Sequence, residues 1–175
     1  MAPKMRPLIP AAQLHERISA LGHIISRDFQ GQNLVVIGVL KGSFIFLADL
    51  VRQITADCQV EFIGVSSYEG TQSTGHVRIS YDLASDIQDK HVLLVEDIID
   101  TGTTIDYLLR TFQVRQPASL KVACLLSKPS CHKVSIPIDY VGFEIGPEFV
   151  VGYGLDLDGR YRQLPDLMQV LSLED

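Results

Sequence analysis

Three strand-length segments of this chain, Leu34–Leu40, His91–Val95 and Leu120–Leu126, are nearly continuous in apolar residues. A sheet with one wet face alternates apolar and polar side chains, whereas a run without alternation has both faces covered. Segments of helical periodicity lie before and between these runs. Leu14, Ile18, Leu21, Ile24 and Ile25 share one face of a helix over Ala11–Phe29. Lys41-Gly42 ends the first run, and Ser43 is placed to cap a helix carrying Phe46, Leu47, Leu50 and Val51. Ile105–Val114 turns Leu108, Leu109 and Phe112 inward. Strands alternating with helices make βαβ units, so the expected class is α/β, a mostly parallel central sheet flanked by helices. Val60–Ser66 and Val77–Tyr81 read as further strands, separated by a loop, Tyr68–Gly75, rich in small and polar residues. The C-terminal third, Ile138–Leu173, has strand-like pieces broken by Gly and Pro and is expected to pack as a smaller lobe.

A chain of 175 residues, 46% hydrophobic and 21% charged, suits one domain with a core of its own. Its 15 Lys and Arg are scattered among 21 Asp and Glu, for a net charge of −6. That balance argues against a nucleic-acid partner, which needs basic surface to displace counterions. Cys58, Cys124 and Cys131 are odd in number and lack metal-ligand spacing, so they read as reduced thiols of a cytosolic protein. The segment Met1–Pro10 holds three prolines and no signal-peptide core, and no apolar run is long enough to span a bilayer. The expectation is a cytoplasmic protein with no membrane partner.

The segment Val92-Leu93-Leu94-Val95-Glu96-Asp97-Ile98-Ile99-Asp100-Thr101-Gly102-Thr103-Thr104 is a buried strand, then acids, then a small-residue turn opening a helix. Ligands of open α/β sheets bind outside the carboxyl ends of the strands, where this turn falls. Thr101, Gly102, Thr103 and Thr104 bring hydroxyls and backbone N–H groups to a helix N-terminus, which suits a phosphate monoester. Glu96 and Asp97 are placed to grip sugar hydroxyls or a metal-bound sugar, and Asp100 lies within the turn. There is no GxxxxGK[ST], which disfavours a nucleoside triphosphatase, and no GxGxxG after the first strand, which disfavours a dinucleotide site.

Paired acids flanked by apolar pairs and followed by Asp-Thr-Gly-x-Thr resemble the donor-binding signature of type I phosphoribosyltransferases. The form Glu-Asp-Ile-Ile-Asp-Thr-Gly resembles the hypoxanthine-guanine branch of that family. Leu40-Lys41-Gly42-Ser43 is similar to the branch's pyrophosphate loop, and Ser67-Tyr68 with Gln72-Ser73-Thr74-Gly75 to its flexible active-site loop. Lys128-Pro129, Val141–Ile145, Phe149–Tyr153, Leu155-Asp156 and Tyr161-Arg162 are similar to its base-binding hood. The resemblance implies a type I phosphoribosyltransferase fold in a single domain, 1–175, with the core at about 31–128. The hood would take about 129–175 and the N-terminal segment.

The resemblance also implies a chemistry: purine N9 displaces pyrophosphate from C1 of phosphoribosyl pyrophosphate, giving IMP or GMP from hypoxanthine or guanine. Mg²⁺ is implied as cofactor, with Glu96, Asp97 and Asp156 in its environment. Glu96, Asp97 and Thr101–Thr104 would bind the phosphoribosyl group; Lys41, Gly42 and Arg162 would bind pyrophosphate. A cis peptide at Lys41-Gly42 is frequent in the family. Ser67 and Tyr68 would close over the donor. Asp100 would act as general base at purine N7, its pKa raised by neighbouring acids and phosphates, and Lys128 would donate to the 6-oxo group. Ile98, Phe149, Val150 and Asp156 would complete the base site. A homodimer or homotetramer is implied. An RNA-binding regulator that keeps the donor motif is the alternative from another class, and it would need the basic face this chain lacks.

Overall fold

The computed structural model describes residues 3–67 and 77–172. Tyr68 and Gln72–Gly75 of the expected flexible loop therefore lie outside the described residues. The large sheet has six strands in the order β4-β3-β2-β5-β6-β7: β2 (Leu34–Leu40), β3 (Cys58–Ser67), β4 (Val77–Tyr81), β5 (His91–Ile99), β6 (Ser119–Ser127) and β7 (Tyr140–Glu144). All pairings in it are parallel except that of the edge strand β4. The strands twice bury alternate residues. Leu34, Val36, Leu93 and Val95 face α1 (Ala11–Asp28) and α2 (Phe44–Val51); Val35, Ile37, Val92 and Leu94 face α3 (Thr103–Gln113). Burial on both faces is why the runs show no alternation in the sequence.

Several boundaries differ from the expectation, each for a physical reason. The polar turn after Val95 begins later, because β5 continues to Ile99 by pairing with β6 as far as Ile99↔Ser127. Its pairing with β2 stops at Gly38↔Val95, so Glu96–Ile99 overhangs that neighbour. Tyr140–Glu144, expected in the smaller lobe, is the edge strand of the large sheet. The proline-broken N-terminus forms β1 (Lys4–Ile9), antiparallel to β9 (Leu167–Ser172), with β8 (Val150–Val151) on the other side of β9. Prolines are tolerated on such an edge strand, and β1 occupies the edge of this three-stranded sheet. Ser43 stands before α2, but its hydroxyl donates backwards to Val39 O at 2.6 Å and does not cap the helix.

The strand order reverses between β2 and β5. From β2 the chain crosses to β3 on one side, and from β5 it crosses to β6 on the other. A crevice opens at that switch point, outside the carboxyl ends of the strands.

Candidate functional site

Three cavities meet at this crevice. The first, about 100 Å³, is formed by the turn joining β5 to α3 and includes Glu96, Asp100, Thr101, Gly102 and Thr104. Gly102 takes φ +83 as the residue preceding α3. A Cβ there would sit 3.1 Å from Val134 Cγ2 and 3.2 Å from Ile136 Cδ1, so both conformation and space favour glycine. Thr101 Oγ1 lies 3.1 Å from Thr103 Oγ1. The first amides of a helix have no acceptor within it, and the helix dipole puts partial positive charge at that end. Small hydroxyls, free amides and a dipole end together make a receptor for a tetrahedral anion.

The second cavity, about 360 Å³, is lined by Lys41, Gly42, Glu96, Asp97, Asp156 and Arg162, with Ser66 and Val77 at its rim. The backbones here approach closely. A Cβ on Gly42 would overlap the Asp97 carboxylate, and one on Gly154 would overlap the Gly42 carbonyl. The cis peptide lies at Leu40-Lys41, one bond earlier than the Lys41-Gly42 position seen in the resemblance. Arg162 Nη2 is 2.7 Å from Asp156 Oδ1, and its Nη1 donates to Gly154 O at 2.6 Å. Asp156 Oδ2 accepts from Gly159 N at 2.7 Å. Glu96 is buried, and this burial, reinforced by the Asp97 charge, pushes its carboxyl well above the usual range. Asp97 is pushed up to about 6, mainly by burial and also by Asp156, against hydrogen bonding from the Ile98 amide and the nearby Arg162.

Among the described residues, no group of three or more His, Cys, Asp or Glu could enclose a metal ion. The carboxylates lining this cavity are nevertheless hard oxygen donors beside open space. They fit Mg²⁺, which keeps waters and substrate oxygens in its shell and takes few protein ligands. Two crowded acids held towards their neutral forms are also groups that a divalent cation would relieve.

The third cavity, about 190 Å³, is flanked by Ile98, Phe149, Val150 and Leu155, with Asp100, Lys128 and Asp156 at its polar edge. Phe149 is 52% exposed, an aromatic face left uncovered. Lys128 is buried, and its Nζ lies 3.1 Å from Asp100 Oδ2. The Lys128 amide donates to Ile99 O at 2.9 Å, and Lys133 N donates to Thr101 O at 2.9 Å, so the lysine's loop is tied to the turn of the first cavity. The expectation for Asp100 counted acids and phosphates as its neighbours; the structure adds this ammonium.

The structure thus brings Lys41, Gly42, Glu96, Asp97, Ile98, Asp100, Thr101, Gly102, Thr104, Lys128, Phe149, Val150, Asp156 and Arg162 around one crevice. Thr103 is at the first position of α3. Ser67 ends β3, its backbone paired with Val77. Leu155 was anticipated only as part of the hood motif, and Gly154 was not anticipated. The signal for Gly154 was a second glycine two positions after Gly152; both, with Tyr153 between them, take positive φ.

The family model described as a phosphoribosyl transferase domain matches residues 10–158. The hypoxanthine phosphoribosyltransferase of Haemophilus influenzae is 50% identical over 171 residues, covering 95% of this chain and 96% of that protein. The hypoxanthine-guanine phosphoribosyltransferase of Mycobacterium avium is 48% identical over 164 residues, covering 90% and 81%. A solved hypoxanthine-guanine phosphoribosyltransferase from Bacillus anthracis, with HEPES in its active site, superposes with a TM-score of 0.92 at 45% identity. The match spans 97% of this chain and all of that one, 100%.

Proposed function

This chain belongs to the phosphoribosyl transferase family, and from that premise we propose that it is a purine salvage enzyme. It transfers the 5-phosphoribosyl group from phosphoribosyl pyrophosphate to N9 of hypoxanthine or guanine, giving IMP or GMP and pyrophosphate. The observation that carries this reading is the Lys128–Asp100 pair, 3.1 Å apart at the edge of a half-apolar slot beside an anion cradle. A 6-oxopurine offers each member of the pair its complement: a carbonyl for the lysine and an N7 proton for the aspartate. Adenine presents an amino donor where the lysine offers another, so the buried ammonium gains no acceptor from the base and keeps only Asp100, the kind of mismatch that discriminates strongly.

The residues then divide the work. Thr101–Thr104 hold the 5-phosphate on the α3 amides. Glu96 and Asp97 hold the ribose hydroxyls. Lys41, the Gly42 backbone and Arg162 hold pyrophosphate, the guanidinium by its planar fork. Ile98 and Phe149 sandwich the base, while Val150 and Asp156 border its edge. Asp100 takes the N7 proton as N9 bonds to C1. Ser67 and Tyr68 close over the donor and keep water from C1. Glu96, Asp97 and Asp156 would hold Mg²⁺, which when bound neutralises charge on the departing pyrophosphate. A cytoplasmic homodimer or homotetramer belongs to the same reading. No helix of the described residues is long and apolar enough to cross a membrane.

Asp100→Asn keeps the shape and removes the base. The expected result is a kcat with hypoxanthine lower by about 10²-fold, with KM for either substrate changed much less. A variant as fast as the parent would refute Asp100 as the base.

A further inference from the structure

Tyr153 stands at the centre of an unusual backbone. Its φ is +50, between Gly152 at +94 and Gly154 at +104. Three successive left-handed residues suit glycine and disfavour tyrosine. The tyrosine side chain is buried, and its hydroxyl donates to Asp49 Oδ2 on α2. Asp49 is itself paired with Arg52, and His15 Nε2 of α1 lies 3.8 Å from the same oxygen. The Tyr153 amide donates to Leu164 O at 2.8 Å, Gly154 N donates to Arg162 O at 3.0 Å, and Gly152 and Leu155 exchange amide hydrogen bonds of 3.0 Å.

The two ends of the Tyr153–Asp49 bond belong to two segments that meet beside the crevice. Asp49 is in α2, the helix that begins just after the Lys41-Gly42 loop. Tyr153 immediately precedes Gly154, whose missing Cβ leaves room for the Gly42 carbonyl, and then Leu155 and Asp156 of the base slot.

We propose that the Tyr153 hydroxyl, bonded to Asp49, is a positioning latch. It holds the 154–156 segment against the Gly42 loop and so sets the spacing between the purine slot and the pyrophosphate site. This inference rests on the transferase reading above. The latch touches no substrate; it acts through Gly154, Leu155 and Asp156. Without it, the left-handed segment keeps only its apolar packing on α2 and loses its polar tether, and purine and donor must reorder it on binding.

The test is steady-state kinetics of the full chain with hypoxanthine and phosphoribosyl pyrophosphate, for Tyr153→Phe, Asp49→Ala, their combination and Asp49→Asn, beside thermal unfolding. Tyr153→Phe and Asp49→Ala are each expected to raise KM for both substrates by about tenfold, with kcat changed less. The double variant is expected to be no worse than Asp49→Ala alone, because that substitution already removes the bond that Tyr153→Phe breaks, along with the pairing to Arg52. Asp49→Asn, which keeps an acceptor oxygen, is expected to restore much of the affinity. Unchanged KM values in Tyr153→Phe, or a lower unfolding temperature alone, would overturn the latch, as would additive losses in the double variant. A parent chain inactive with every purine would instead overturn the transferase reading and the latch with it. An active parent with an unaffected Tyr153→Phe overturns the latch alone.

Discussion

The proposed reaction rests its selectivity on one side chain, Lys128. It is 6% exposed, and its described partner is a half-exposed carboxylate. Lys128→Met keeps the stem and removes the charge, so kcat/KM for hypoxanthine is expected to fall by about 10²-fold or more while adenine loses little. Competition assays with the two bases would read this; an unchanged preference would contradict the lysine's role. Gly42 is fixed by volume. Gly42→Ala pushes a methyl group into the Asp97 carboxylate and is expected to lower stability by about 1–3 kcal/mol and to depress turnover, as measured by urea unfolding and initial rates. Asp97 gives a pH signature. Its pKa of about 6 lies above the ordinary aspartate value, so from about pH 4 to about pH 6 the folded chain keeps a proton that the unfolded chain has lost. That contribution favours folding at low pH and is lost as pH rises through this window. Asp97→Asn removes it, so the variant is expected to gain about 1–3 kcal/mol on the parent between pH 4 and pH 7. A pH-independent difference in unfolding free energy would contradict it. The chemical identities of these residues were legible in the sequence. The pairing of Lys128 with Asp100, 28 positions apart, and the contact of Gly42 with Asp97 were not, because both depend on the sheet bringing distant strand ends together.

Among the elements, β2, β5 and β6 were legible because burial on both faces removes polar residues from a strand. α1 and α3 were legible from their apolar stripes. What escaped was set by pairing. β5 runs through two acids to Ile99 because β6 offers it backbone partners, and local composition records none of that. β1 contains a proline and becomes a strand only by lying on β9. The turn between β5 and α3 carries its own test. Gly102→Ala sets a Cβ at φ +83 and against Val134. The expected outcome is a loss of about 1–2 kcal/mol in stability together with weaker binding of nucleoside monophosphate, measured by calorimetry. Parent-like affinity would show that the cradle does not depend on this backbone.

For the whole molecule, the placement of the crevice follows from topology. β2 sends its helix to one face of the sheet and β5 to the other, so the loops after these strands open a gap at the switch point. The β1-β9-β8 sheet carries Val150 to the base slot, and the loop after β8 brings Leu155, Asp156 and Arg162. The three cavities are therefore contiguous, as the proposed reaction requires of a 5-phosphate, a leaving pyrophosphate and an entering base arranged around one sugar. The measurement that tests this most directly is pyrophosphate release from phosphoribosyl pyrophosphate with Mg²⁺, offering hypoxanthine, guanine, xanthine, adenine and uracil in turn. Turnover with 6-oxopurines, none with adenine or uracil, and loss of turnover on chelation with EDTA are the predicted results. Donor binding without turnover on any base, or equal rates with adenine and hypoxanthine, would contradict the account.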